Sequence, residues 1–371
     1  MRWRGCTILL VWLCAACAGP DAKYPALPAD EVAAERRRQE IAQLRDYYSQ
    51  LHRVNSVSYN LRTANRDACK DWLSVHLGLV AATPRSLPRK FQSFSAEALG
   101  LRWVRPTVIS VVEGSPAAKA GIVDRDELTS FNGEPVPIYG TSKWMGDFAD
   151  AYGERPLTVA FLRDGEHKTA VLNPVIGCAV PITFEINPVP NAFAGDTKIV
   201  VQSGMLRLTK TESELAVIVG HELAHVTMGH LNKQRLNSVV GAFGGAAIDG
   251  GFLLGGIGTG GAFTRRLHDA GLMAYSVSFE READYVGAYY AVRAGYDISG
   301  AENVWRAFSL ESPESIRVGT THPTTPTRYL QLRKVIEEIA EKKKNNLPLT
   351  PELRFAKTDA EPEVPVRERN Y

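Results

Sequence analysis

Apolar residues recur at helical spacing in the first part of the chain. Ile41, Leu44, Tyr48 and Leu51 lie three or four residues apart, with Glu, Arg and Gln elsewhere in the segment. Residues at this spacing share one face of an α-helix, so residues 30–70 are predicted to form an amphipathic helical segment.

A second helix is predicted from residue 211 onward, with a different pattern. Thr211 followed by Glu214 forms a capping box, which marks the start of a helix. The run Leu215–Val219 is apolar on every side, so this helix should be buried in a core.

Residues 95–175 alternate short apolar runs with turns, which is typical of a small β-rich unit. The predicted strands are Val108–Val112, Leu128–Phe131, Leu157–Leu162 and Thr169–Leu172. The last two flank Asp164-Gly165, a dipeptide that favours a hairpin turn. Because this unit interrupts the helical part, the chain is predicted to be of the α+β class with an inserted domain.

The length of the chain bears on the number of domains, and its charge bears on whether it binds nucleic acid. The 371 residues carry a formal net charge of +2, and no basic stripe is concentrated along the chain. A chain of this length can bury two cores, and its charge argues against a nucleic-acid partner.

The predicted buried helix carries His221-Glu222-Leu223-Ala224-His225. Residues four apart share a helix face, so His221 and His225 can both present a ring nitrogen to one Zn²⁺ at roughly 2.0–2.1 Å. Glu222 lies beside them and can act as general base toward a metal-bound water. The alternative is a chance motif with a histidine satisfied by a carbonyl, but burying all three groups is costly unless they bind something.

A third ligand is predicted on a later helix that ends near Gly295. Glu280 is assigned as this ligand, and Asp284, on the same face, as the carboxylate that orients a zinc-bound histidine. The small residues Ala283 and Gly287 allow this face to approach the first helix closely. Glu282 is the competing ligand, about 200° around the helix from Glu280. A solvated charged face is the other interpretation.

These motifs together resemble the HtpX-type and Oma-type zinc endopeptidases, peptidase family 48 of the gluzincins. The resemblance also rests on Asn191–Ala194 and Gly204–Leu206, and it covers residues 181 to about 340. It implies a zincin-like, mainly helical domain with a small sheet and one zinc ion bound by His221, His225 and Glu280, with Glu222 as the base. It also implies that Thr197–Ser203 is the edge strand along which a protein substrate lies.

His322-Pro323 with Arg328 six residues after His322 is similar to the C-terminal signature of the same family. Arg328 is expected beside the ligands, on the first turn of a helix that opens at Thr325-Pro326. His322 has three open roles: stabilising the oxyanion, blocking the metal as a fourth ligand, or packing. His230 lies off the ligand face and is predicted to be structural.

The β-rich unit, with Gly114–Ile122 as a turn and short helix, resembles a PDZ domain. Such domains bind peptide ends by adding a strand to a sheet edge, so a C-terminal peptide is an expected ligand. Leu99, Gly100 and Leu101 are the candidate loop for its carboxylate. A bound peptide could be fed to the zinc or could shift the peptidase part between states. An insertion without a ligand is the alternative.

The N-terminus has the pattern of a bacterial secretory signal. Arg2 and Arg4 precede an apolar run that is too short to span a bilayer. Leu13–Cys17 resembles a lipobox, which implies that Cys17 is acylated and anchors the protein to a membrane, with Ala18 favouring the outer membrane. Ordinary signal cleavage is the alternative, and both place the protein on the periplasmic side of the envelope.

Two cysteines flank the PDZ-like unit. Cys69 and Cys178 are predicted to form a disulfide in an oxidising periplasm, worth on the order of 4 kcal/mol. Residues 239–263 are apolar and rich in glycine, and Asp249 near their middle favours a flap or helical hairpin over a membrane span.

The predicted organisation divides the chain into six segments. They are a signal peptide with lipobox (1–19), a linker (20–30), the N-terminal helical part of the peptidase (31–94), a PDZ-like domain (95–175), the zinc peptidase domain (176–340) and a disordered tail (341–371). The leading function is a zinc endopeptidase, and the resemblance implies envelope proteins, including misfolded ones, as its substrates. The alternative is a peptide-binding or chaperone-like protein with a silent zinc site.

Overall fold

The computed structural model describes residues 25–70, 72–195, 197–254, 259, 262–311, 313 and 326–353. Its α-helices are α1 (Ala29–Ala64), α2 (Arg89–Gln92), α3 (Ser95–Leu99), α4 (Pro116–Lys119), α5 (Thr141–Tyr152), α6 (Ser203–Leu208), α7 (Glu212–Thr227), α8 (His230–Leu254), α9 (Ala262–Arg293), α10 (Asn303–Glu311) and α11 (Pro326–Lys344). Its strands are β1 (Leu73–His76), β2 (Leu79–Ala82), β3 (Thr107–Val111), β4 (Glu127–Phe131), β5 (Glu134–Pro135), β6 (Leu157–Arg163), β7 (Glu166–Leu172), β8 (Val175–Cys178), β9 (Ile182–Glu185), β10 (Ala192–Ala194) and β11 (Ile199–Gln202). Mixed helix and sheet agree with the predicted α+β class.

Helix α1 is shared by two hydrophobic cores. Its first half packs through Ile41 and Leu44 against the short helices α2 and α3. Its second half packs through Val54, Val57 and Leu61 into the core that contains α7 and α9. The predicted helical segment is therefore confirmed, and one rigid element connects the PDZ-like unit to the peptidase part.

The small sheet of the peptidase part has the order β10-β11-β9. Strand β11 pairs antiparallel with β10 and parallel with β9, so it lies in the middle. The predicted edge position of Thr197–Ser203 is therefore wrong. All four residues of β11 are buried, as expected for a central strand, and β10 lies at the edge of the described sheet.

The PDZ-like unit is built on a sheet of order β2-β3-β4-β6-β7, with β5 beside β4. Strands β6 and β7 form the predicted hairpin, in which Asp164 and Gly165 both have positive φ as a two-residue turn requires. The unit begins earlier than residue 95, because β2 is its first strand. Strand β2 has only four residues and is followed by three short helical segments. Its alternation of apolar and polar residues is therefore too short to predict a strand.

Helices α8 and α9 pack along each other. This agrees with the predicted helical hairpin for the glycine-rich segment, although residues 255–258, 260 and 261 lie outside the described part. Within the described residues, none of the helices has the length and apolar character needed to cross a membrane.

The predicted disorder of the tail is wrong for residues 341–353. Helix α11 continues to Lys344, and Leu349 packs against the peptidase core. The chain is held there because Lys342 donates to the carbonyl of Thr350 at 3.1 Å and the Glu352 amide donates to the Tyr285 hydroxyl at 3.0 Å. Residues 354–371 lie outside the described part.

A disulfide joins Cys69 to Cys178, as predicted, with a Cα–Cα distance of 5.5 Å. The two residues are 109 positions apart, so the bond closes a loop that contains the whole PDZ-like sheet. It fixes the end of the α1 segment to β8.

A chain that starts at residue 25 retains Cys69 and Cys178 as its two cysteines. We expect it to show no free thiol when it is denatured without reductant. Reduction should lower its free energy of unfolding by on the order of 4 kcal/mol, because the unfolded chain regains the entropy of an open loop. Thiol titration and urea unfolding measure these quantities. A Cys69→Ser/Cys178→Ser variant should not respond to reductant, and two free thiols in the unreduced parent would contradict the bond.

Candidate metal centre

Helix α7 begins where the capping box predicts. Thr211 accepts a hydrogen bond from the Glu214 amide at 3.1 Å, and Glu214 accepts one from the Thr211 amide at 3.1 Å. The helix then enters the core, where His221, Glu222 and His225 are all buried. A buried helix with three polar groups needs a binding function or internal partners for them.

Helix α9 brings Glu280 to the two histidines. One possible ligand atom from each of His221, His225 and Glu280 lies within 4.8 Å of the others. Nε2 of His221 is 3.4 Å from one carboxylate oxygen of Glu280, and Nε2 of His225 is 3.2 Å from the other. The structure thus brings together the three predicted ligands.

Close contact of α7 and α9 makes this convergence possible. A Cβ atom added at Gly220 would lie 2.7 Å from the carbonyl oxygen of Gly287, and one added at Gly287 would lie 2.6 Å from the amide nitrogen of His221. These distances are too short for any side chain, so the two helix backbones touch at paired glycines. The predicted role of Gly287 agrees with this geometry, whereas Gly220 was not predicted.

Asp284 and Arg328 hold His221 in place. Nδ1 of His221 is 2.9 Å from Oδ1 of Asp284. Arg328 donates two hydrogen bonds of 2.7 Å to Asp284, and its third nitrogen is 2.8 Å from Glu280. The guanidinium also lies 4.3 Å from the ring centre of Trp305. Both residues lie where the sequence predicts.

His225 is oriented by His230, a residue for which the sequence predicts only a structural role. Nδ1 of His225 is 2.9 Å from Nδ1 of His230, and Nε2 of His230 is 2.8 Å from Glu282. Burial, with the charge of His225, lowers the pKa of His230 to about 4. A neutral His230 that donates to Glu282 can accept the Nδ1 proton of His225, which leaves Nε2 of His225 to face Glu280.

Local backbone geometry explains why helical spacing does not predict this contact of His230. Gly229 follows α7 with φ of 65°, a left-handed conformation that ends the helix. Helix α8 therefore starts in a new direction, and helical spacing counted from His221 no longer applies. The glycine directly before His230 is the sequence signal that could have revealed this turn.

The surroundings of the two histidine ligands shift their pKa values in opposite directions. Burial lowers the pKa of His221, but hydrogen bonds with Asp284 and Glu280, together with their charge, outweigh it and raise the pKa to about 10. Burial raises the pKa of Asp284, yet Arg328 and His221 outweigh burial and lower it. Burial lowers the pKa of His225, as does the charge of His221, although Glu280 opposes the shift.

The predicted carboxylate loop of the PDZ-like unit is wrong. The amide of Gly100 donates to the carbonyl of Ala96 at 2.8 Å, and that of Leu101 donates to Ser95 at 3.4 Å. These bonds close the end of α3 and occupy the amides that a carboxylate would need. Leu101 is buried in the core beside α1, and Leu99 packs against it. Two further predicted site residues, Cys17 and His322, lie outside the described residues.

Two models of known families match separate parts of the chain. Residues 180–336 match the model of peptidase family M48. Residues 107–145 match a PDZ domain model. The first match contains all three converging ligands, and the second lies within the inserted unit.

Two curated proteins are similar to the chain. Over 169 residues it is 25% identical to the mitochondrial metalloendopeptidase OMA1 of Schizosaccharomyces pombe, a match that covers 43% of this chain and 48% of that protein. Over 157 residues it is 30% identical to the beta-barrel assembly-enhancing protease of Yersinia pestis, which covers 38% of this chain and 32% of that protein. The matches span about half of the first relative and a third of the second.

Several solved structures match part of the chain. The HtrA3 PDZ domain bound to a phage-derived ligand is 20% identical with a TM-score of 0.22, and the match covers 28% of this chain and 88% of that one. The HtrA-type protease AlgW with a decapeptide is 19% identical with a TM-score of 0.23, and the match covers 28% of this chain and 30% of that one.

Replacing Gly287 with alanine tests the contact between the helices. We expect Gly287→Ala to retain less zinc and to lose roughly 1–3 kcal/mol of stability, because the new methyl group forces α7 and α9 apart. Metal analysis and thermal unfolding measure both effects. Gly146→Ala on α5 is the matched control, since a Cβ there meets nothing within 4 Å. A Gly287→Ala protein that retains zinc and melts like the parent would contradict the account.

Proposed function

We propose that this chain, whose residues 180–336 form a peptidase family M48 domain, is a zinc-dependent endopeptidase of the bacterial cell envelope. The observation that carries the proposal is the convergence of His221, His225 and Glu280 in a buried centre. Two imidazoles and one carboxylate are the protein ligands of catalytic zinc in several peptidases, where a fourth position stays open to water.

The residues of this centre fit a zinc ion in charge as well as in ligand type. The centre contains three buried carboxylates, those of Glu222, Glu280 and Asp284. Arg328 is also buried and forms ion pairs with Glu280 and Asp284. Buried carboxylates need compensating positive charge, and a divalent cation between the ligands would supply it. The hydrogen bonds of His221 to Asp284 and of His225 to His230 leave both Nε2 atoms for a metal.

Each residue of the centre has a separate proposed task. Zinc, when bound, supplies a Lewis acid that makes water a nucleophile near neutral pH. Glu222 takes the proton of the attacking water and passes it to the leaving amine. Asp284 and His230 fix the tautomers of the two histidines, and Arg328 fixes Asp284.

Strand β10 is the proposed binding edge for substrate. It lies at the end of the described three-stranded sheet and is in contact with α7, which carries the histidines. An extended polypeptide can pair with the main chain of such an edge, and this mode is largely independent of side-chain sequence. It suits an enzyme that cuts unfolded segments of envelope proteins.

The envelope location is supported by two features of the chain. The first 19 residues have the pattern of a signal peptide with a lipobox, in which Cys17 would carry the lipid anchor. The disulfide between Cys69 and Cys178 suits an oxidising compartment such as the periplasm. We therefore propose a periplasmic protein attached to the outer membrane.

The second candidate function is peptide binding by the PDZ-like unit with a silent zinc site. It is favoured by a cavity between this unit and α1, in which the buried side-chain nitrogen of Asn55 has no hydrogen-bond partner among the described residues. The two functions are compatible in one chain, and activity measurements decide whether the zinc site is silent.

Removing the carboxylate of Glu222 tests the endopeptidase directly. We expect Glu222→Gln to cleave unfolded casein about 10²- to 10⁴-fold more slowly, because the general base is lost, while its zinc content stays near that of the parent. Casein cleavage and metal analysis measure the two quantities. Glu341→Gln, on the exposed face of α11, is the charge-matched control and should cleave normally. Equal activity of Glu222→Gln and the parent would overturn the proposal, as would a parent that binds zinc but does not cleave.

A further inference from the structure

Helix α8 carries a row of apolar side chains that face solvent. Leu236, Val240 and Phe243 follow each other at intervals of three or four residues, and they are 63%, 62% and 73% exposed. Residues at this spacing lie in one line along a helix. Val239, next to this line, is 48% exposed. Together these four residues form the α8 row.

The α8 row remains exposed although α8 packs along α9. The hairpin therefore has its own internal contact, and the row lies outside that contact. Large apolar side chains that stay in water forgo the free energy of burial, and contiguous apolar patches on a folded surface mark interaction sites. The row thus indicates a partner with an apolar surface.

Basic residues flank the α8 row at both ends. Lys233 lies seven positions before Val240, so it continues the same line of the helix, and it is exposed. Arg235 is exposed in the same turn. Arg265, in the first turn of α9, is exposed as well. The row is therefore bordered by three cations.

Asp249 is the one acidic residue of the segment 233–265. Its carboxylate accepts hydrogen bonds from the amide of Thr264 at 2.8 Å and from the Thr264 hydroxyl at 2.7 Å. These bonds stabilise the negative charge inside the hairpin, and they place Arg265 beside the part of α8 that follows the row. The charge that borders the α8 row is therefore positive.

An apolar row between cations is complementary to the surface of an anionic bilayer. Apolar side chains of a helix that lies flat on the membrane enter the boundary of the acyl chains, while Lys and Arg stay at the level of the phosphates. Each basic residue close to such a surface adds to the attraction, and salt weakens it. One line of apolar residues with charge of the same sign at both ends fits this surface.

We propose that the α8 row, together with Lys233, Arg235 and Arg265, binds the surface of a bilayer that contains anionic lipids. The proposal rests on the envelope location put forward above, which brings the protein to a membrane. It adds a contact made by the folded protein to the lipid anchor expected at Cys17. A single acyl chain gives only reversible membrane binding, so stable attachment requires a second contact of this kind.

The contact would hold the metal centre close to the membrane. His230 lies at the start of α8 and is 2.9 Å from His225. Because a helix rises about 1.5 Å per residue, Phe243 lies roughly 20 Å along α8 from His230. An enzyme held by the α8 row would therefore reach unfolded segments of envelope proteins near the bilayer.

Vesicle flotation tests this contact with a chain that starts at residue 25, which retains every described residue and lacks Cys17. The vesicles contain phosphatidylcholine alone, or equal parts of phosphatidylcholine and phosphatidylglycerol. At low salt we expect binding to the mixed vesicles to be about tenfold or more tighter than binding to the neutral ones, because three cations border the row. High salt should remove most of this difference.

Val240→Ser/Phe243→Ser should weaken binding to the mixed vesicles about tenfold or more, because two exposed apolar side chains no longer enter the lipid. Val104→Ser/Tyr139→Ser is the matched control, since both of these residues are exposed in the PDZ-like unit. This control should bind vesicles like the parent. Unchanged binding by Val240→Ser/Phe243→Ser would overturn the proposal.

Lys233→Gln should reduce the preference for the mixed vesicles, whereas Lys119→Gln, at an exposed position of α4, should leave it unchanged. Equal binding of the parent to the two kinds of vesicle would overturn the proposal, and so would the absence of binding to either kind. Both results concern the parent chain, so they do not depend on the folding of any variant.

Light scattering and casein cleavage in the absence of vesicles distinguish other occupants of the α8 row. We expect Val240→Ser/Phe243→Ser to have the same mass in solution as the parent and to cleave casein equally fast. A parent that dimerises while this variant stays monomeric would assign the row to a second copy of the chain and overturn the proposal. A variant that binds vesicles normally but cleaves casein more slowly would assign the row to protein substrates and also overturn it. Vesicle binding and casein cleavage are separate measurements, so failure of this proposal and failure of the endopeptidase are distinguishable.

Discussion

The contact between α7 and α9 is the constraint on which the metal centre depends. Gly220 and Gly287 allow the two backbones to touch, and no other pair of residue types would permit this distance. Helix α9 can then present Glu280 to both histidines and Asp284 to His221. A wider separation of the two backbones would move Glu280 away from the two histidines. The metal centre therefore depends on the packing of α7 against α9 as well as on the motif from His221 to His225.

The centre is surrounded by groups that fix each histidine in one orientation. Asp284 and Arg328 act on His221 from α9 and α11, whereas His230 and Glu282 act on His225 from α8 and α9. Each imidazole therefore has its Nδ1 atom occupied and its Nε2 atom directed toward Glu280. The two imidazole rings are therefore positioned by residues of four helices, α7, α8, α9 and α11. The centre can form only when these helices are folded together.

Helix α1 gives the inserted unit its place in the molecule. It supplies one wall of the cavity beside β2 and packs with its other face against the helices of the peptidase part. The disulfide between Cys69 and Cys178 closes the insertion near the end of this helix. The PDZ-like unit is thus attached through a continuous rigid element as well as through its two chain connections.

Short-range patterns in the sequence predicted much of the centre. The spacing of His221 and His225 and the shared face of Glu280 and Asp284 follow from helix geometry, which the sequence expresses directly. The small residue at 287 could be recognised for the same reason. These elements are long and strongly patterned, so local rules are sufficient for them.

Features that depend on the meeting of distant segments could not be predicted in this way. The central position of β11 depends on β9, which lies well before it in the chain and pairs with it in parallel. His230 reaches His225 only because Gly229 turns the chain between two helices. The amides of Gly100 and Leu101 are occupied because they bond to the carbonyls of Ala96 and Ser95 at the end of α3, which the sequence of this loop does not reveal.

Anomalous diffraction at the zinc absorption edge, from crystals of the purified protein, tests the central claim most directly. The account predicts one zinc peak bound by Nε2 of His221, Nε2 of His225 and a carboxylate oxygen of Glu280 at about 2.0–2.2 Å, with the remaining position open to water. A zinc ion bound by Glu282 in place of Glu280, a site closed by a fourth protein ligand, or no metal at this centre would contradict it.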